Sequence, residues 1–293
     1  MTALRSAAPA AELARAKVNL ALHITGQRAD GYHLLESLVV FPQIGDRLSV
    51  VTSETLELVV EGPFAHDLQG PTDENLVVKA ARLFADAAGL DPLNLKMTLS
   101  KRLPVASGIG GGSSDAATAL RLLEDHTGIY LDDDRLKSIA LQLGADVPVC
   151  LSVQPQLMRG IGGEVSPAPQ MPKCGMVLVN PRLGVSTPEV FKALQNRKNP
   201  TLPRFPDSFE SLSNLTGFLT LCRNDLQQPA IAICPEIGDI LQALTAEDDI
   251  VFARMSGSGA TVFGLCETGR EMEMERSLRK RRPDWWIASG RLA

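Results

Sequence analysis

The chain has 293 residues, 44% of them hydrophobic, enough to bury more core than one compact domain usually holds, so two domains are expected. Its 29 Lys plus Arg stand against 34 Asp plus Glu, and the resulting net charge of −5 repels polyanions, which argues against a nucleic-acid partner. Five scattered cysteines (Cys150, Cys174, Cys222, Cys234 and Cys266) lack any C-x-x-C spacing, so neither a zinc site nor a disulfide framework is expected, and a reducing cytoplasm fits best.

At the start of the chain, Arg5 and an Ala-rich run give way to Glu12 and Arg15 before an apolar segment of signal-peptide length builds up. No run of about 20 apolar residues follows, so neither a membrane span nor an anchor is expected. Ala16, Val18, Leu20, Leu22 and Ile24 alternate with Lys17, Asn19, Ala21 and His23, the period of a strand that displays Lys17 and Asn19 together. Gly26 and Asp30-Gly31 supply turn chemistry before a second extended run, Tyr32 to Val40. Further strands are predicted over Arg47 to Val51, Leu56 to Val60 and Asn94 to Ser100, giving a mostly antiparallel sheet. Helical spacing marks Asn75 to Ala88 and the Leu136 to Leu143 region, and a third helix is predicted from about Ser113. Beyond Val153 the pattern changes to strands at Met176 to Val179, Ile250 to Met255, Thr261 to Cys266 and Trp285 to Ala288, separated by helices. A domain boundary is expected near residues 155 to 165, and the basic, proline-spaced Asn196 to Pro206 reads as an exposed loop.

The segment Leu103-Pro104-Val105-Ala106-Ser107-Gly108-Ile109-Gly110-Gly111-Gly112-Ser113-Ser114-Asp115-Ala116-Ala117 carries the most chemistry. Its glycines remove the Cβ atoms that keep a ligand from the backbone and allow positive φ, so several N–H groups can converge on one anion. A helix starts at once, and its N-terminus favours a phosphate by roughly 0.3–1 kcal/mol. A Walker loop would need Lys after the last Gly, where Ser113 stands, and a dinucleotide fingerprint fails at the same residue. Protein-kinase motifs are missing as well.

The segment resembles the second motif of the superfamily of galactokinase, homoserine kinase, mevalonate kinase and phosphomevalonate kinase (GHMP kinases). Ala16-Lys17-Val18-Asn19-Leu20 resembles the first motif and Met255-Ser256-Gly257-Ser258-Gly259-Ala260-Thr261-Val262-Phe263 the third, in the expected order. The resemblance implies an α+β, two-domain GHMP kinase fold. An N-terminal, ATP-binding domain like ribosomal protein S5 domain 2 would occupy 1–160, and a C-terminal ferredoxin-like α/β domain 161–293. Ile24 to His33 and Leu143-Gly144-Ala145-Asp146-Val147-Pro148-Val149 narrow it to the branch whose acceptor is a cytidine-diphosphate-linked sugar alcohol of non-mevalonate isoprenoid biosynthesis.

By that resemblance Lys17 and Asp146 form the catalytic pair, Pro104 to Ser114 bind ATP, and Asn19, Tyr32, His33, Thr187 and Phe191 bind the acceptor, with Tyr32 and Phe191 holding the cytosine between their rings. Without it, Asp146 reads equally well as a turn or cap residue, Lys17 as a solvated strand residue and Phe191 as core. Mg²⁺ is expected with the nucleotide, with no dedicated protein metal site. Asn75 and Lys101 fall near the adenine by the same analogy. Three departures stand in the loop: Ser107 for Gly or Ala, Ile109 for Leu, and Asp115 for the more frequent Asn. The extra charge at Asp115 is expected to weaken ATP binding unless it faces Mg²⁺ or solvent. Alternatives are a superfamily kinase with a mevalonate, homoserine or sugar acceptor, or a non-catalytic nucleotide sensor; the oligomeric state, monomer or homodimer, stays open.

Overall fold

The computed structural model describes residues 10–68, 70–90 and 93–292; the reading of Arg5 and its neighbours lies outside them. In chain order the strands begin with β1 (Ala10–Arg15), β2 (Val18–Gln27), β3 (His33–Val40), β4 (Gly45–Thr52), β5 (Glu57–Glu61) and β6 (Leu95–Ser100). They continue with β7 (Gln156–Gly160), β8 (Glu164–Pro167), β9 (Cys174–Asn180), β10 (Phe252–Met255), β11 (Val262–Cys266) and β12 (Trp286–Leu292). The helices are α1 (Leu76–Ala88), α2 (Gly111–Thr127), α3 (Asp133–Leu143), α4 (Val147–Cys150), α5 (Thr187–Lys192), α6 (Leu212–Thr220), α7 (Gln227–Ile233), α8 (Glu236–Thr245) and α9 (Glu271–Arg281). They fall into two compact units, and the chain passes between them more than once.

The first unit takes the chain up to Arg15, Gly45–Val105 and Gly111–Ser152. Its sheet runs β1-β4-β6-β5, antiparallel except for the β5–β6 pair. The predicted alternation in β6 holds: Leu95, Met97 and Leu99 are buried while the residues between them are half-buried. Each such burial contributes about 1.5–3 kcal/mol. Helix α1 starts where Asn75 Oδ1 accepts the Val77 N–H at 2.9 Å and stops at Gly89, whose φ of 67° ends the helix in the left-handed region. Helix α2 packs on β1 and β4 and against α1, and it is the most enclosed of these helices because small residues (Ala116, Ala117, Ala119) let its neighbours come close.

Two elements here differ from expectation. Helix α2 begins at Gly111, two residues before Ser113, because the first turn needs only backbone and tolerates glycine. Strand β1 is unanticipated: AAELAR is poor strand sequence, and its pairing with β4 from Ala10↔Val50 to Arg15↔Gly45 makes it one.

The second unit takes Ala16–Ile44, Ala106–Gly110 and the chain from Val153 onward. One sheet is β2-β3-β7-β8, antiparallel throughout. In β2 the register shifts between Asn19 and Ala21 and again between Ile24 and Gly26. Such bulges break the strict alternation read from the sequence, and β2 is buried on both faces from Val18 to Ile24. The other sheet, β10-β11-β9-β12, with α8 leading into β10 and α9 into β12, has the strand order of a ferredoxin-like fold. Its core holds Val177, Val179, Ile237, Ile240, Leu244 and Ile287. The 196–206 segment has neither helix nor strand, as expected, but it is stitched down: Asn199 N–H donates to Ile24 O at 3.0 Å and Leu202 N–H to Glu36 Oε2 at 2.9 Å.

Candidate active site

In the second unit the three sequence motifs meet. The Lys17 N–H donates to Ile109 O at 2.8 Å, so the first motif runs beside the glycine loop. Lys17 is buried, and its stem lies on Gly110: a Cβ built there would sit 3.1 Å from Lys17 Cβ and 3.2 Å from its Cε. Gly110 also has φ +62°, so both its conformation and its neighbour demand glycine. The Asn19 N–H donates to Ser256 Oγ at 3.0 Å, and that hydroxyl donates to Gly108 O at 3.2 Å, so one side chain of the third motif links the other two. Gly108 has φ +75°, and a Cβ there would lie 2.5 Å from Gly259 O. Thr261 Oγ1 donates to Ser107 O at 2.6 Å while accepting from Asn180 Nδ2 at 2.9 Å.

Asn19 is buried and directs its amide Nδ2 to Ser37 Oγ at 2.7 Å, while its Oδ1 has no hydrogen-bond partner among the described residues. A buried amide oxygen left this way is a ready acceptor for a ligand hydroxyl. Thr187, the first residue of α5, shares a 2.8 Å hydrogen bond with Ser258 Oγ of the third motif. Phe191, on the same helix, packs against the core and meets the His33 ring at 4.9 Å between centroids. His33 Nε2 is buried without a hydrogen-bond partner among the described residues. Burial first, then the nearby Arg197 charge, hold the His33 pKa below its ordinary value, so the ring is neutral at neutral pH. Tyr32 is 63% exposed and makes no ring contact with Phe191, so among the described residues Phe191 has the histidine, not the tyrosine, as its ring neighbour.

In the first unit, Asp146 holds the N-cap position of α4, but its side chain makes no cap hydrogen bond, and Pro148 relieves one amide that a cap would serve. The capping role weighed for it is therefore not how the carboxylate is used. At the start of α2, Ser114 Oγ donates to Arg15 O at 2.6 Å, Ser113 is half-buried and Gly112 is exposed. Upstream, Pro104 is buried while Val105 and Ala106 are exposed. Two glycines of the loop, Gly108 and Gly110, have positive φ and stand shortly before this first turn.

Asp115 faces neither solvent nor an open helix end. It is buried, and its Oδ2 accepts from Lys101 Nζ at 2.7 Å, while Asp46 Oδ2 accepts from the same ammonium at 2.5 Å. Asp46 Oδ1 accepts the Arg102 and Leu103 N–H groups at 2.5 and 2.8 Å. Burial works against the Lys101 charge, but Asp115 and Asp46 outweigh it and hold its pKa above the ordinary value. Sequence reasoning missed Asp46 altogether, since no motif contains it. The two residues placed near adenine by analogy have structural duties, Asn75 as the α1 cap and Lys101 in this ion cluster.

A ferredoxin-like unit, a glycine loop opening a helix and a third motif tied to both define a kinase of the GHMP type. The family model for the GHMP kinases N terminal domain matches residues 75–153, and that for GHMP kinases C terminal matches 205–283. A 4-diphosphocytidyl-2-C-methyl-D-erythritol kinase from Agrobacterium fabrum is 46% identical over 285 residues, covering 96% of this chain and 95% of that one. The protein of the same name from Ruegeria pomeroyi is 49% identical over 286 residues, covering 95% and 98%. A crystal structure of 4-(cytidine 5'-diphospho)-2C-methyl-D-erythritol kinase superposes with a TM-score of 0.79 at 32% identity, over 97% of this chain and 99% of that one. The chain belongs to the GHMP kinases and, within them, to the family of 4-diphosphocytidyl-2-C-methyl-D-erythritol kinases.

Among the described residues no helix is long and apolar enough to cross a membrane.

Proposed function

We propose that this protein transfers the γ-phosphoryl group of ATP to the 2-hydroxyl of 4-diphosphocytidyl-2-C-methyl-D-erythritol, giving the 2-phosphate and ADP, in the cytoplasm as a step of non-mevalonate isoprenoid biosynthesis. The observation that carries this reading is the agreement between relatives of that name along nearly the whole chain and the convergence of the three motifs on Ser256, Gly108 and Lys17. We assign the family's N-terminal half to 1–160 and its C-terminal half to 161–293, in keeping with the two family matches.

Pro104 to Ser114 fit a triphosphate because Gly108 and Gly110 have positive φ and α2 opens immediately after them. Mg²⁺ is assigned to the nucleotide's own phosphates, since this ion is commonly held by substrate phosphates with few protein ligands. An alcohol holds its proton far more tightly than a carboxylate does, so Asp146 orients the hydroxyl and takes the proton late, in a loose transition state. Lys17 offsets charge on the transferring group, and the packing of its stem on Gly110 fixes its direction. Asn19 and Thr187 hold the acceptor's polar groups. Tyr32 and Phe191 stack the cytosine, and neutral His33 meets its polar edge.

The test is incubation with Mg²⁺, ATP and 4-diphosphocytidyl-2-C-methyl-D-erythritol, reading ADP and a singly phosphorylated product by mass spectrometry. Product on mevalonate, homoserine or a sugar, and none on this acceptor, would overturn the assignment. Asp146→Asn should lower turnover at least about 10²-fold with ATP affinity little changed.

A further inference from the structure

We propose that Asp46, Lys101 and Asp115 form a buried ionic clamp that fixes the two ends of the glycine loop relative to each other and so positions the first turn of α2 for nucleotide phosphates. They are positioning residues, and the nucleotide part of the proposal rests on the reading given above.

The connectivity is continuous within the first unit. Where the chain leaves β6, the Arg102 and Leu103 N–H groups donate to Asp46 Oδ1; Asp46 Oδ2 accepts from Lys101 Nζ; and Lys101 Nζ donates to Asp115 Oδ2 at the start of α2. Leu103 and Asp115 are the residues that flank the loop 104–114, so the cluster ties its entrance to its exit. The ammonium also sets where the exit runs: a Cβ on Gly111, the first residue of α2, would lie 3.1 Å from Lys101 Nζ. The side chains of Lys101, Asp46 and Asp115 are 3%, 0% and 4% exposed. Burying three charges is a poor way to gain stability, because well-packed apolar residues of the same volume do as well or better. What apolar residues do not supply is a directional link between a strand end and a helix start, and that is what these hydrogen bonds provide.

Asp115 is the residue to vary. Asparagine keeps an oxygen for Lys101, and because Asp115 Oδ1 has no partner among the described residues, its amide nitrogen displaces no existing bond. Alanine removes the link. Asp115→Ala should raise the KM for ATP on the order of tenfold, the size of one lost hydrogen bond to a charged group, with the acceptor KM unchanged. Asp115→Asn should restore the wild-type ATP KM within about twofold. In parallel, hydrogen exchange on the protein without nucleotide should speed up in the amides of 104–114 in Asp115→Ala and not in Asp115→Asn. The clamp is wrong if Asp115→Ala leaves loop exchange at the wild-type rate, or if exchange rises throughout the first unit and both KM values rise together. If wild type phosphorylates nothing, the proposed reaction fails, and the exchange measurement alone then decides the clamp.

Discussion

Where Leu103 and Asp115 bracket the glycine loop in the first unit, buried charges make the contacts; where Ser107 to Gly110 run through the second unit, neutral hydrogen bonds and close packing, that of the Lys17 stem on Gly110 included, hold it. There, Ser256, Thr261 and Asn180 supply neutral hydrogen bonds, and Gly108 lies where a Cβ would meet Gly259 O at 2.5 Å. The neutral arrangement is built from several bonds worth about 0.5–1.5 kcal/mol each plus steric fit, so it degrades in steps. The charged one depends most on its single cation, because removing Lys101 leaves two carboxylates buried and uncompensated. A loop held in these two ways keeps its backbone shape from one region and its end-to-end spacing from the other.

The largest effect should come from breaking the charged region outright. Lys101→Met leaves two buried carboxylates facing each other and should cost about 3–5 kcal/mol, read as a fall in the denaturant midpoint with an unchanged m-value. A loss under about 1 kcal/mol would mean that water reaches the cluster and the contrast between the regions is false. Next is the steric part of the neutral region. Gly108→Ala introduces a Cβ at positive φ against backbone, and should cost roughly 2–4 kcal/mol from left-handed strain and overpacking together. The same substitution at Gly89, also at positive φ but with nothing within 4 Å of a Cβ, should cost only the strain, about 1–2 kcal/mol. If the two variants melted alike, packing of the third motif on Gly108 would contribute nothing.

The contrast also explains what the sequence could tell. The neutral region is written in local letters: positive φ and close backbone approach require glycine at particular positions, so Gly108, Gly110 and Gly257 are visible as motif residues before any contact is known. Strand β6 was legible because one of its faces is buried, and α1 because its apolar residues recur at helical spacing. Strand β1 was not, since its Ala and Glu residues become strand only through pairing with β4. The register shift in β2 depends on β3 and leaves no trace in the alternation of residues 16 to 24. The ionic cluster was the least legible feature, because Asp46, Lys101 and Asp115 are 55 and 14 residues apart and belong to no common pattern. Asp115 drew attention only as an added charge, and its partners supply the reason the fold accepts it.

A milder cut at the neutral region is Thr261→Val, which keeps the shape but removes the donor to Ser107 O and the acceptor for Asn180 Nδ2. It should cost about 1–3 kcal/mol, and by the same amount at pH 5.5 and pH 8, because no titrating group is involved. A pH-dependent cost would show that the two regions are coupled.

The smallest effect is the most diagnostic, since it asks whether the charged region titrates while the neutral one does not. Burial raises the Asp115 pKa from its ordinary 3.8 to about 7; Lys101 opposes the rise and Asp46 adds to it. Between those values the folded chain holds a proton that the unfolded chain has already released. Folded protein therefore binds more protons, and the stability due to this group, full below about pH 4, is lost as pH rises through about 7. His23, His33 and His126 act in the opposite sense: burial, the largest cause in each, lowers their pKa values, so their contribution is present above pH 6.5 and lost as pH falls. The wild-type melting curve alone mixes these trends. Asp115→Asn removes one of them and leaves the histidines in place, so the quantity to measure is the difference in Tm between variant and wild type from pH 5 to pH 8. That difference should move in favour of the variant as pH rises, by a few degrees, roughly what about 1–2 kcal/mol produces in a chain of this size. A flat difference would mean that Asp115 has the same charge state folded and unfolded across this window, and that Lys101 holds it ionised.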